Sequence, residues 1–140
     1  MNGIRRRFAR DESGQEIIEF AVTSLVFFMV IFGTLQFGLA VYRYNMVSNL
    51  AQEGARWASV RGFNSSIAPA TEGDVRAFVI SRSVGVPVTV TTIPAGTGPS
   101  LLTAGSAISV NVQTVFSPLT SLLTPASFTM ESTAQMVVSR

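Results

Sequence analysis

Polar and apolar positions fall into long blocks at the amino end of the chain and into short alternating runs at the carboxyl end. The first block is a basic head with Arg5, Arg6, Arg7 and Arg10, followed by an uncharged run over residues 20–42. As a helix this run spans roughly 35 Å, against a hydrocarbon core of about 30 Å, so it is long enough to cross a membrane with some tilt. The helix is predicted to continue past it to about Val60, because Met46, Leu50, Ala51, Ala55 and Ala58 recur at intervals of three and four residues. Ala51, Gly54, Ala55, Ala58 and Ser59 form a smooth stripe against which a sheet can lie close.

Gly62 ends this helix, and Asn64 to Pro69 reads as a loop whose Asn64-Ser65-Ser66 sequon is a chance match. A short helix is predicted from about Glu72 to Ser83, opened by a Thr71-x-x-Asp74 capping box and carrying Val75, Phe78 and Val79 on one face, with Gly85 just beyond. Three stretches then alternate with period two. They are Val86, Val88 and Val90, then Ile108, Val110, Val112 and Phe116, then Phe128, Met130, Ala134, Met136 and Val138. Pro87 suits an edge or a strand start. Residues 94–106, rich in Gly, Pro, Ser and Thr, read as a mobile hairpin tip, and Ser117-Pro118 with Leu122-Leu123-Thr124-Pro125 as a tight, partly buried crossover. The expected fold class is α+β, a mostly antiparallel three-stranded sheet on a long helix.

Composition narrows the chemistry. The 140 residues contain no cysteine and no histidine, and every basic residue is an arginine. Disulfides, thiolate metal sites and the commonest general base are therefore missing. Serine and threonine have no His or Lys to activate them, and no phosphate-binding loop or dinucleotide fingerprint is present, so neither an enzyme nor a cofactor is expected. The net charge is +2, but the head holds four arginines and two acids, and the chain beyond Gly14 is neutral. No ionisable side chain lies between Arg82 and Glu131, which leaves no footprint for nucleic acid and none for a small-molecule substrate.

The junction between head and apolar run carries most of the functional signal. Ser13-x-x-Glu16 is a capping box in form, but that does not account for Glu19, a carboxylate at the edge of a membrane-length segment where charge is unfavourable. A twin-arginine or ordinary secretory signal fits poorly. The apolar run exceeds the usual cleavable length, acids interrupt its approach, and no small-x-small site comes after it. Arginines on the head side predict a cytoplasmic amino end. Within the run, Thr34 and Gly38 form a small-xxx-small pair suited to helix packing, and Gln36 is either a helix contact or a tolerated residue near a Tyr42, Arg43 and Tyr44 belt. Glu53 and Arg56 read as a surface pair at i,i+3, worth a few tenths of a kcal/mol.

The order Gly14, four residues, Glu19, Phe20 and then an apolar helix resembles the processing site of type IVb (Flp-type) prepilins and pseudopilins. Ala51-Gln52-Glu53-Gly54-Ala55-Arg56-Trp57-Ala58 resembles a segment of TadE-like proteins, the pseudopilins of tight-adherence pilus systems. Phe20 stands where tyrosine is frequent in such sites. The resemblance implies a pilin-like fold and a prepilin peptidase that cuts between Gly14 and Gln15. It also implies a minor pseudopilin's role beside other pilins in pilus assembly and surface adhesion. The expected division is a cleaved cytoplasmic leader over residues 1–14, an inner-membrane span over 15–43 and an extracytoplasmic helical extension over 44–62. A small extracytoplasmic domain completes the chain over 63–140. The rival readings are an uncleaved, membrane-anchored binding module and a filament subunit.

Overall fold

Five elements make up the computed structural model: α1 (Glu12–Ser59), α2 (Glu72–Arg82), β1 (Thr89–Ile93), β2 (Ala107–Phe116) and β3 (Phe128–Val137). The structure describes residues 12–62, 69–93, 103–118 and 127–139. The four leader arginines, the Asn64 sequon and most of the 94–106 and 117–127 connections lie outside the described residues. The chain divides into two compact units, Met1–Phe37 and Gly38–Arg140.

In the first unit α1 is continuous, as expected for a run without proline. Its apolar side chains face outward, including Ile17, Phe20, Phe27 and Val30, each more than half exposed. One stretch of α1 within Gly14–Ser59 is long and apolar enough to cross a membrane, with mean hydropathy 2.2 and none of it buried. This fits a single-pass membrane anchor. α1 already includes Glu12 and Ser13, so Ser13 is a helical residue and not the cap ahead of the first turn.

The second unit is α+β. β1, β2 and β3 form a sheet in that order, antiparallel throughout. Its core brings together Val47, Leu50, Ala51, Ala55 and Ala58 of α1, Val75 and Val79 of α2, and Val90, Ile108, Val110 and Val112 of the sheet. Each fully buried valine or isoleucine here contributes about 1.5 to 3 kcal/mol relative to exposure. The capping box of α2 is complete: Asp74 N–H donates to Thr71 Oγ1, and Thr71 N–H donates to Asp74 Oδ2.

β2 and β3 are antiparallel neighbours whose ends meet at Phe116 and Phe128, and the expected partly buried crossover through Leu122 to Pro125 lies outside the described residues. Two details depart from the sequence pattern. β1 begins at Thr89 and not at Val86, since Pro87 has no N–H to donate, although Val86 is still buried. The inward row of β2 also includes Thr114, which is buried because its Oγ1 donates to the Pro87 carbonyl at 2.7 Å.

Candidate functional site

The residues singled out in sequence divide between the two units. In the first, Gly14, Gln15, Glu19 and Phe20 lie in turn along α1 and all are exposed. Gln15 and Glu19 are four apart and therefore share a helix face, about 6 Å apart along the axis. A Cβ at Gly14 would meet nothing within 4 Å, so its backbone is open to approach. Thr34 satisfies its hydroxyl within the helix by donating to the Val30 carbonyl at 2.8 Å, and Gln36 is buried. This lets a hydroxyl sit in an apolar segment without an unsatisfied polar group.

In the second unit Ala51 and Ala55 are fully buried, and Gly54 is pressed against Val79 and Val110. Glu53 does not pair with Arg56. Its carboxylate meets Arg82 Nη1 of α2 at 3.5 Å, because α2 packs alongside and offers a guanidinium, while Arg56 faces solvent. Sequence spacing favours the i,i+3 partner only because it contains no information on α2.

Between α1 and α2 lies an aromatic and basic cluster that the hydropathy pattern does not single out. Trp57 stacks on Phe78 with ring centroids 5.0 Å apart and planes 16° from parallel. Arg61 lies over Trp57 at 4.3 Å and Arg82 over Phe78 at 5.1 Å. Its sequence signal is a repeated spacing, Trp57-x-x-x-Arg61 and Phe78-x-x-x-Arg82: Arg82 lies over Phe78 one turn on along α2, whereas Arg61 folds back over Trp57 from just past the end of α1. Glu53, Arg56, Trp57, Val60, Phe78 and Arg82 line a shallow groove of about 490 Å³ there. Arg61 also helps hold the Asp74 carboxyl below its ordinary range, after the dominant hydrogen bonds from the Thr71 backbone and hydroxyl. The cluster ties α2 to α1.

Compared with known proteins, the family model of the TadE-like protein matches residues 14–56. That stretch takes in Gly14, Glu19, Phe20 and the Glu53-Gly54-Ala55-Arg56 segment. No curated protein and no solved structure matches the chain.

Proposed function

We propose that this chain, TadE-like over residues 14–56, is a minor pseudopilin that takes part in assembling a type IVb (Flp/Tad) pilus for surface adhesion. The observation that carries the reading is the extent of the family match, which starts at Gly14 and ends at Arg56, joining the junction to the helix beneath the outer domain. The family match over residues 14–56 supports a Tad pilus-associated protein with a structural role.

In this reading a prepilin peptidase cuts between Gly14 and Gln15. The cut removes Arg5, Arg6, Arg7 and Arg10, whose charges would otherwise hold the head in the cytoplasm, since carrying each through hydrocarbon costs at least about 2.5 to 3.5 kcal/mol. It also creates a protonated amine on Gln15, one helical turn from Glu19. Glu19 then pairs with the amine of a neighbouring pilin or pseudopilin and sets its register in the inner membrane, with the domain after residue 43 outside. Because the Gly14–Gln15 bond lies within α1, the peptidase must open the first turns. Glycine eases this, as it weakens a helix by roughly 0.5 to 1 kcal/mol relative to alanine.

The test is the mature amino terminus, read by intact mass of membrane protein from cells with and without an active prepilin peptidase. A chain beginning at Gln15 only when the peptidase is active is the expected result, and Gly14→Val should block it. An intact chain in both cells would overturn the reading in favour of an uncleaved anchored module.

A further inference from the structure

β3 stands at one edge of the sheet, and the hydrogen bonds just beyond it reveal which of its main-chain groups are open. Val138 N–H donates to the Ser106 carbonyl at 2.9 Å, on the β2 side, whereas Ser139 N–H turns the other way and donates to the Ser59 carbonyl at 2.9 Å. In an antiparallel pair, successive residues alternate between facing the partner strand and facing away. In register with β2, Thr129, Glu131, Thr133, Gln135 and Val137 therefore aim their N–H and C=O groups at the free edge. All five are exposed, and none of these groups has a backbone partner among the described residues. Ser59 satisfies the next outward N–H, and the five below it stay open.

Sheet edges are ordinarily blunted by short length, proline, basic side chains or bulges, because an open row of donors and acceptors invites another strand. β1 is blunted: it has five residues and follows Pro87. β3 has ten residues, no proline, no bulge in its register with β2, and Glu131 as its one charge. Within one sheet, only one edge is protected.

The open edge also has a wall. α1 and α2 pack side by side on the inner face through the Trp57–Phe78 stack and the Glu53–Arg82 pair. Two helices are about 20 Å wide against about 14 Å for three strands, so the helix pair overhangs the sheet. α1 does so beside β3, where its Ser59 carbonyl meets the outward N–H of Ser139. Its exposed Asn49, Gln52 and Arg56 line a groove of about 350 Å³ there, with Glu53 and with Met136 of β3. Glu53 is held by Arg82, whereas Arg56 has no ion pair among the described residues.

We infer that the free edge of β3 takes an extended segment of a partner polypeptide as a fourth strand, with an acidic side chain of that segment on Arg56. A row of alternating N–H and C=O groups is complemented by the backbone of another strand. The partner's side chains facing α1 are polar, hydroxyls or amides against Asn49 and Gln52 and a carboxylate against Arg56, while those beside Glu131 on the other face carry no acid. The occupant is a lone strand and not a second copy, since antiparallel pairing of two β3 strands sets the second α1 into the same overhang. The edge is open whether or not the chain is cut at Gly14, so this proposal and the pilus role fail separately.

The probes are a short oligothreonine with one central glutamate and its counterpart with glutamine, added to the full chain in detergent micelles and followed by amide hydrogen exchange in NMR spectra. Without probe, the Glu131, Thr133 and Gln135 amides should exchange much faster than those of Met130, Ser132 and Ala134, and the glutamate probe should slow them. Gln135→Pro removes an N–H that points away from β2, so it should spare the ladder and weaken the probe about tenfold or more. Arg56→Gln, a surface change, should weaken the glutamate probe about two- to fivefold and leave the glutamine probe unchanged. Where Gln135→Pro disturbs the fold, the Arg56→Gln comparison decides alone, and an equal response of the two probes would remove the acidic contact. Outward amides already protected without probe would show that the chain covers its own edge. A concentration-dependent dimer that Gln135→Pro abolishes would assign the edge to a second copy. Absence of probe binding, or binding indifferent to Gln135→Pro in a folded chain, would remove the edge as a docking site.

Discussion

Gly54 and Val79 stand closer than any side chain at residue 54 would allow: a Cβ there would lie 2.7 Å from Val79 Cγ2 and 3.3 Å from Val110 Cγ1. The absence of a side chain on α1 is therefore what lets α2 and the middle of β2 close on the same turn. Both valines are buried, so neither has room to swing aside.

Gly54→Val should destabilise the helix–sheet domain by about 1 to 3 kcal/mol through overpacking, well above the few tenths that valine gains over glycine as a helix former. For a domain of this size that lowers the melting temperature by about 4 to 8 °C per kcal/mol. The measurement is thermal unfolding of the full chain in detergent, followed in the near-ultraviolet circular dichroism of Trp57. Unchanged melting would mean that the approach of α2 to Gly54 is looser than the structure has it.

The two arginine contacts on α2 should separate by magnitude. Glu53 and Arg82 are each about half exposed, 51% and 57%, so Glu53→Gln should cost less than about 0.5 kcal/mol and lose even that in high salt. Arg82→Ala should cost more, about 0.5 to 1 kcal/mol, because it also uncovers the Phe78 ring. Equal losses for the two variants at low and high salt would show that the ring contact contributes nothing.

Asp74 sets an acid limit. Its folded pKa is lowered, first by the Thr71 backbone hydrogen bond and then by the Thr71 hydroxyl. A lowered carboxyl contributes stability that is present above its unfolded value and is lost as pH falls through the folded one. The Asp74 contribution is therefore fully present near neutral pH and is lost as pH falls through and below the ordinary carboxylate range. Thr71→Ala should cost about 1 kcal/mol at neutral pH and flatten the acid limb in melts taken as a function of pH. An acid limb identical to wild type in Thr71→Ala would place its origin in another carboxylate.

The elements are legible in the sequence because their signals are local. Period two in β2 and β3, the small residues on α1 and the Thr71 cap each depend on neighbours within a few positions. The features that stay hidden depend on residues brought together from separate elements. The Glu53 partner lies on α2, the Trp57–Phe78 stack joins two helices, and Thr114 is inward because the Pro87 carbonyl faces it. At the junction, the roles proposed for Gly14 and Glu19 rest on resemblance, since nothing in a single chain supplies their partners.

Glu19 provides the sharpest functional prediction. It is exposed on α1 between Ile18 and Phe20, both of which are also exposed and apolar, so in a bilayer edge the charge has only unfavourable surroundings unless a cation joins it. A neighbour's Gln15 amine at about 4 Å attracts it by roughly 4 kcal/mol at an effective dielectric near 20, before desolvation is subtracted. Glu19→Ala and Glu19→Gln should therefore insert as well as wild type or better, yet both should reduce pilus assembly. The glutamine keeps the shape and tests the charge alone. The measurement is the amount of pilin in sheared surface fibres from cells with the variant as the sole copy, alongside membrane fractionation of the variant itself. Wild-type piliation with Glu19→Gln would remove the charge pair from assembly, whereas loss of the variant from the membrane would show that the carboxylate serves insertion instead.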